Sequence, residues 1–103
     1  MSDYNNNTSS EDRFLRENTI ASYACRQLAD WALAHFGDRT SSDAYRRLVH
    51  ALAVTGEDVA IEKVFKDLND QGYPYRSEAV MRMYERFRRE AEKQVDSVQT
   101  IAA

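Results

Sequence analysis

The chain contains few of the residues that cross-link, kink or interrupt a fold. Its 103 residues include one cysteine, one proline and three glycines. The single cysteine, Cys25, excludes a disulfide within the chain. With only two histidines beside it, far apart in the sequence, there is no tight spacing of the kind that zinc ligands show. We therefore predict neither a bound metal nor a cofactor.

Long apolar runs are also missing. No segment approaches the roughly 20 consecutive apolar residues that a membrane-spanning helix needs. Residues 1–10 are polar and lack the apolar stretch of a secretory signal. We therefore expect a protein of the reducing cytoplasm with no membrane partner.

The sequence also lacks the residue arrangements that catalytic sites typically use. Ser41–Asp43 is explained as the start of a helix rather than as a nucleophile with its base. Glu57 and Asp58 are neighbours on a helix, so their side chains point about 100° apart and do not form a working pair. Three isolated glycines make no phosphate-binding loop. We predict that the protein is not an enzyme and has no small-molecule substrate.

What the chain does contain is an ordinary globular balance, with 43% hydrophobic and 30% charged residues. Its length fits one domain. The net charge of −3 argues against a general nucleic-acid coat protein. The basic residues, however, are eleven arginines and only three lysines. Because the planar guanidinium group suits carboxylates and phosphates, a local cationic face can still bind an acidic partner.

Residues that typically end or begin helices divide the chain into segments. Residues 1–9 are rich in Asn, Ser and Thr, and we predict a disordered tail there, followed by a single helical domain over 10–103. Gly37, Gly56 and Gly72 each follow a segment with helical periodicity, where a left-handed residue closes the last turn. A short helix is predicted over 10–17, either separate or continuous with the next, because Asn18–Thr19 can form a new cap.

Four longer helices follow. The first runs over about 20–36 and places its apolar residues on one stripe: Ala21, Cys25, Leu28, Ala32 and Phe36. The second begins after a cap at Thr40 paired with Asp43. The third begins at Thr55, which has the same cap spacing to Asp58, and the fourth runs from about Ser77 to Val98. No segment alternates with the period of a strand. The sequence therefore predicts an all-α fold: a compact bundle of four main helices plus a short N-terminal helix and a disordered tail.

The last helix carries the most distinctive pattern. We place Val80 at 0° around the helix axis and advance 100° for each residue. The apolar residues then fall within about −20° to 60°: Tyr84, Phe87, Ala91, Val95 and Val98. Arg82, Arg86, Arg89 and Lys93 fall on the opposite side, within about 180° to 240°. Glutamates at 78, 85 and 90 are placed to form ion pairs at 78/82, 85/89 and 86/90. This face is either a solvated surface with internal ion pairs or a surface for phosphate or an acidic partner.

Tyr73–Pro74–Tyr75 and Arg76 lie directly before this helix. Two aromatic rings beside a cationic face can stack on unpaired bases or contact a peptide. They can equally close the turn and pack against the core. The candidate contact residues are thus Tyr73, Tyr75, Arg76, Arg82, Arg86, Arg89 and Lys93.

Two functions fit these features. The first is a non-enzymatic interaction or regulatory protein that binds another protein or a second copy of itself. The alternative is an accessory protein that binds DNA or RNA through the cationic face of the last helix, a reading that the net charge disfavours.

Overall fold

The computed structural model describes the backbone of residues 2–37 and 40–102 and the side chains of residues 13–37 and 40–97. Four helices follow one another: α1 (Ser2–Phe36), α2 (Ser42–Thr55), α3 (Glu57–Asp70) and α4 (Ser77–Ala102). The described backbone contains no strand. The predicted all-α bundle of four main helices is therefore confirmed.

The short N-terminal helix predicted over 10–17 is not a separate element. It is part of α1, which continues without a break through Asn18 and Thr19. The Thr19 hydroxyl donates to the Leu15 carbonyl, 2.8 Å away and one turn back, and so does not cap a new helix. The backbone of residues 2–9 is part of α1, and the side chains of this segment lie outside the described residues. The disordered tail over 1–9 therefore stays an untested prediction.

The helix ends agree with the glycine pattern in two of three places. Gly37 and Gly72 have positive φ angles of 63° and 91°, as a left-handed closing residue requires. Gly56 differs, because its φ of 174° is extended backbone. It ends α2 and begins α3 as a single joining residue, so the cap predicted at Thr55 is wrong.

The start of α2 also differs from the prediction. Its N-cap is Ser41 rather than Thr40, and the Ser41 side chain makes no capping hydrogen bond. The capping pair of Thr40 and Asp43 therefore does not form. Asp43 instead lies within hydrogen-bond reach of Arg46, with 3.5 Å between Oδ1 and Nη1.

The core lies around α1, which packs against each of the other three helices, while α2 and α4 do not contact each other in the described part of the chain. The small residues Ala24, Ala29 and Ala32 of α1 are fully buried, which lets neighbouring helices approach closely. Cys25 is buried among them, as predicted. Larger side chains fill the remaining volume, the fully buried ones being Ile20, Leu28, Val49, Val64, Leu68 and Val80.

Helix α4 presents the predicted stripe to this core. Val80, Tyr84 and Ala91 are buried, and Phe87 packs against the core from its edge. Val98 lies outside the described side chains. Within the described residues, no helix combines the length and the apolar composition needed to cross a bilayer.

Candidate partner-binding surfaces

The cationic face of α4, defined as Arg82, Arg86, Arg89 and Lys93, is exposed along its whole length. It lies opposite the buried Val80, Tyr84 and Ala91, so the four cations take no part in packing. Of the three ion pairs predicted within α4, only Arg86–Glu90 comes within 4 Å, at 3.6 Å. Arg82, Arg89 and Lys93 make no ion pair with any described carboxylate. Most of this face is therefore free to bind an anionic partner.

Tyr73 and Tyr75 both contact the C-terminal end of α1. The Tyr73 hydroxyl donates to the His35 carbonyl at 2.7 Å. The ring of Tyr75 meets Trp31 edge to face, with 5.3 Å between the ring centres. The rings thus close the α3–α4 loop onto α1, while Pro74 and Arg76 of this segment are exposed. Pro74, Tyr75 and Arg76 also line a pocket that includes Arg82 of the cationic face.

His35 is central to this contact. Its Nδ1 lies 2.9 Å from the Trp31 carbonyl, which can only accept, so Nδ1 carries the proton. Its Nε2 lies 2.9 Å from the Tyr75 hydroxyl and forms a second hydrogen bond. The loop is consequently fixed by directed hydrogen bonds as well as by packing.

Arg88, which the sequence pattern did not single out, joins three helices. Its Nη1 donates to both carboxylate oxygens of Glu57 on α3, at 3.0 and 2.9 Å, and its Nη2 donates to Glu17 on α1. The Tyr84 hydroxyl also donates to Glu57, and the Cys25 thiol lies 3.8 Å from that hydroxyl. These five residues form a polar network at the edge of the core.

Burial controls the acid–base properties of this network. It raises the pKa of the Cys25 thiol, which favours the unreactive thiol over the nucleophilic thiolate. Burial and the bond to Glu57 likewise raise the pKa of Tyr84. The arrangement therefore suits structural support better than nucleophilic chemistry.

A second surface is a groove of about 720 Å³ between α1 and α2. The lining side chains of α1 are Leu15, Asn18, Thr19, Ser22, Tyr23 and Arg26, and those of α2 are Asp43, Arg46, Arg47 and His50. The groove holds three arginines against one aspartate. Its residues come from two helices, so no pattern within a single helix reveals it.

The charges of this groove are only partly neutralised. Arg46 pairs with Asp30 at 2.6 Å and with Asp43 at 3.5 Å. Arg26 and Arg47 are exposed and make no ion pair with any described carboxylate. No group of three or more metal-ligating side chains converges in the described part of the chain. Both surfaces therefore suit recognition of an anionic partner.

The described residues thus form a small helical bundle with two exposed cationic surfaces. The family model of the ATPase inhibitor subunit zeta matches residues 5–94, most of the chain, and the chain belongs to this family. No curated protein and no solved structure matches it. The family assignment confirms the regulatory role and the protein partner in their general form. It gives no support to nucleic-acid binding.

Proposed function

We propose that this protein is a non-catalytic subunit that inhibits a multisubunit ATPase by binding directly to it. The observation that carries the proposal is the family match over residues 5–94. A bundle with a buried thiol and free cations on its surface supports action by binding rather than by chemistry. The cytoplasmic location expected from the sequence belongs to this proposal.

The surface that we assign to the contact is the cationic face of α4. Its side chains lie opposite the core, and a cationic stripe of about three turns complements an acidic patch on the ATPase. Charges at the rim of an interface mainly steer association. We therefore expect this face to act chiefly on the rate of binding.

The direct test starts with the ATPase complex isolated from cells that lack this chain. Addition of the purified chain should lower the rate of ATP hydrolysis and saturate at a fixed ratio of chain to complex. Failure of the chain to bind the complex, or binding without loss of hydrolysis, would contradict the proposal.

The surface is tested by Arg82→Gln combined with Arg89→Gln, which removes two charges and breaks no ion pair among the described residues. The association rate should fall about tenfold at low salt, while the free energy of unfolding changes by less than about 1 kcal/mol. The control is Arg13→Gln with Lys66→Gln, which makes the same charge change at residues outside both surfaces and breaks only the exposed Lys66–Glu62 ion pair. Equal association rates for the two double variants would exclude this face as the contact.

A further inference from the structure

The groove between α1 and α2 has the form of an unfilled helix-packing site. Leu15 and Arg26 mark its ends on α1, which are about 16 Å apart along the helix axis. Two adjacent helices leave a trough of this kind, into which the side-chain ridges of a third helix fit. Helices α3 and α4 contact α1 from the core, whereas the trough toward Ser22 and His50 is open.

The groove has an apolar end and a cationic end. At the apolar end, Leu15 exposes 61% of its surface, in the part of α1 where no side chain is buried. At the other end, Arg26 and Arg47 approach from the two helices without a carboxylate partner. The occupant that fits both ends is elongated, with an apolar side chain at one end and carboxylates at the other.

We infer that this groove binds an acidic amphipathic helix of the ATPase. The inference rests on the proposed function, because it assigns the occupant to that partner. Three observations carry it: the open trough between two helices, the exposed Leu15, and a local excess of cations in a chain of net charge −3. An amphipathic helix in a groove is a recurrent mode of recognition, with apolar anchors on one face and charges at the rim.

The polar side chains along the middle of the groove support the same orientation. The Ser22 hydroxyl of α1 and His50 Nε2 of α2 both line the groove and lie within hydrogen-bond distance of each other, at 3.4 Å. Neither is needed in the core, because both residues are exposed. They provide hydrogen-bonding groups between the apolar end and the cationic end.

The test reverses the two unpaired charges, with Arg26→Glu and Arg47→Glu in one variant. Repulsion of an acidic helix should weaken binding to the isolated ATPase about tenfold or more. The control, Arg13→Glu with Lys66→Glu, makes the same change in net charge outside the groove and should bind as the unmodified chain does. Circular dichroism and urea unfolding check that both variants are folded.

The occupant is identified by a photo-crosslinker attached to Ser22→Cys, with the same reagent on Lys66→Cys as the control. The native Cys25 is buried and does not compete for the reagent. We expect irradiation to join the groove to an acidic helix of one ATPase subunit, and charge-reversing substitutions in that helix to restore binding of the Arg26→Glu, Arg47→Glu variant.

The outcomes separate this inference from the proposed function. If the unmodified chain binds and inhibits the ATPase but the groove variant does so equally well, the groove inference is wrong and the proposed function stands. If the unmodified chain does not bind the ATPase, both are wrong. A crosslink to a second copy of the chain, or loss of the crosslink on adding inorganic phosphate, would assign the groove to another occupant and overturn the inference.

Discussion

The two parts of α1 are held in place by different forces. From Ile20 to Phe36 the helix buries its inner face, and Leu28, Ala29 and Ala32 are fully inaccessible. From residue 13 to residue 19 no side chain is buried, and Phe14 exposes 67% of its surface. One continuous helix thus combines a packed part with an outer part that lies beyond the core.

Ion pairs replace packing in the outer part. Arg16 forms a forked contact with Asp96 of α4, with distances of 3.0 to 3.2 Å, and Glu17 accepts from Arg88. Partly exposed ion pairs contribute much less stability than buried apolar side chains do. A continuous helix is therefore not uniformly stable along its length, since local opening begins where the buried contacts end.

The largest expected effect tests the packed part. Leu28→Ala should lower the free energy of unfolding by about 2–5 kcal/mol, because it leaves a cavity in a fully enclosed site. Leu15→Ala on the same helix removes the same atoms from an exposed site and should cost less than about 0.5 kcal/mol. Urea unfolding of both variants measures the difference. Equal losses would show that the outer part is packed as tightly as the inner part.

A smaller effect is expected where the two parts meet. Arg88→Gln should cost about 1–2 kcal/mol, because it leaves the Glu17 and Glu57 carboxylates without their shared cation. Arg16→Gln should cost less than about 1 kcal/mol in global stability. Amide hydrogen exchange should show its real consequence, which is faster exchange over residues 13–19 and unchanged exchange over 20–36. High salt should act on the unmodified chain in the same way, because it screens exposed charges.

Uniformly unchanged exchange in the Arg16→Gln variant would contradict this picture. It would mean that contacts other than the ion pair with Asp96 hold the outer part of α1 against α4. Arg13→Gln serves as the control, because Arg13 is exposed and makes no ion pair with any described carboxylate.

The pH dependence of stability at alkaline pH tests the packed part of α1 through Cys25. The pKa of the Cys25 thiol is raised in the folded protein by burial, so the unfolded chain releases this proton first. Stability is therefore fully retained below the ordinary thiol pKa of about 8.5 and falls as pH rises from there toward the folded pKa. Urea unfolding at pH 7, 8 and 9 should show this decline, and Cys25→Ala should reduce its slope. Identical slopes would show that the thiol does not contribute.

The sequence was sufficient where a property depends on one helix. Residue type predicts the positive φ angles at Gly37 and Gly72, which were confirmed. The helical period predicts the burial of Val80, Tyr84 and Ala91, which was also confirmed. The exposure of the four cations on α4 follows from the same geometry. Their role as a contact surface stays a prediction, because exposure alone does not identify a partner.

The sequence was insufficient where a property depends on several helices. Arg88 lies about 80° from Val80, at the edge of the stripe, so periodicity does not distinguish it from a solvated residue. Its partners Glu17 and Glu57 lie 71 and 31 positions away. The groove between α1 and α2 is missed for the same reason. The sequence left the continuity of α1 open because Asn18 and Thr19 are typical caps, which here lie within a helix.

The single residue between α2 and α3 has a consequence for how this family tolerates change. Gly56 has an extended backbone that any residue can adopt. An added methyl group there would come too close only to the flexible end of the Asp58 side chain and would make an ordinary contact with Val59. Its identity is thus less constrained than the number of residues between the two helices. One inserted residue would turn α3 by about 100° and rotate Ala60, Val64 and Leu68 off the core. Alignments of relatives should therefore show varied residues but no gaps at this joint, and length differences should collect in the longer connections.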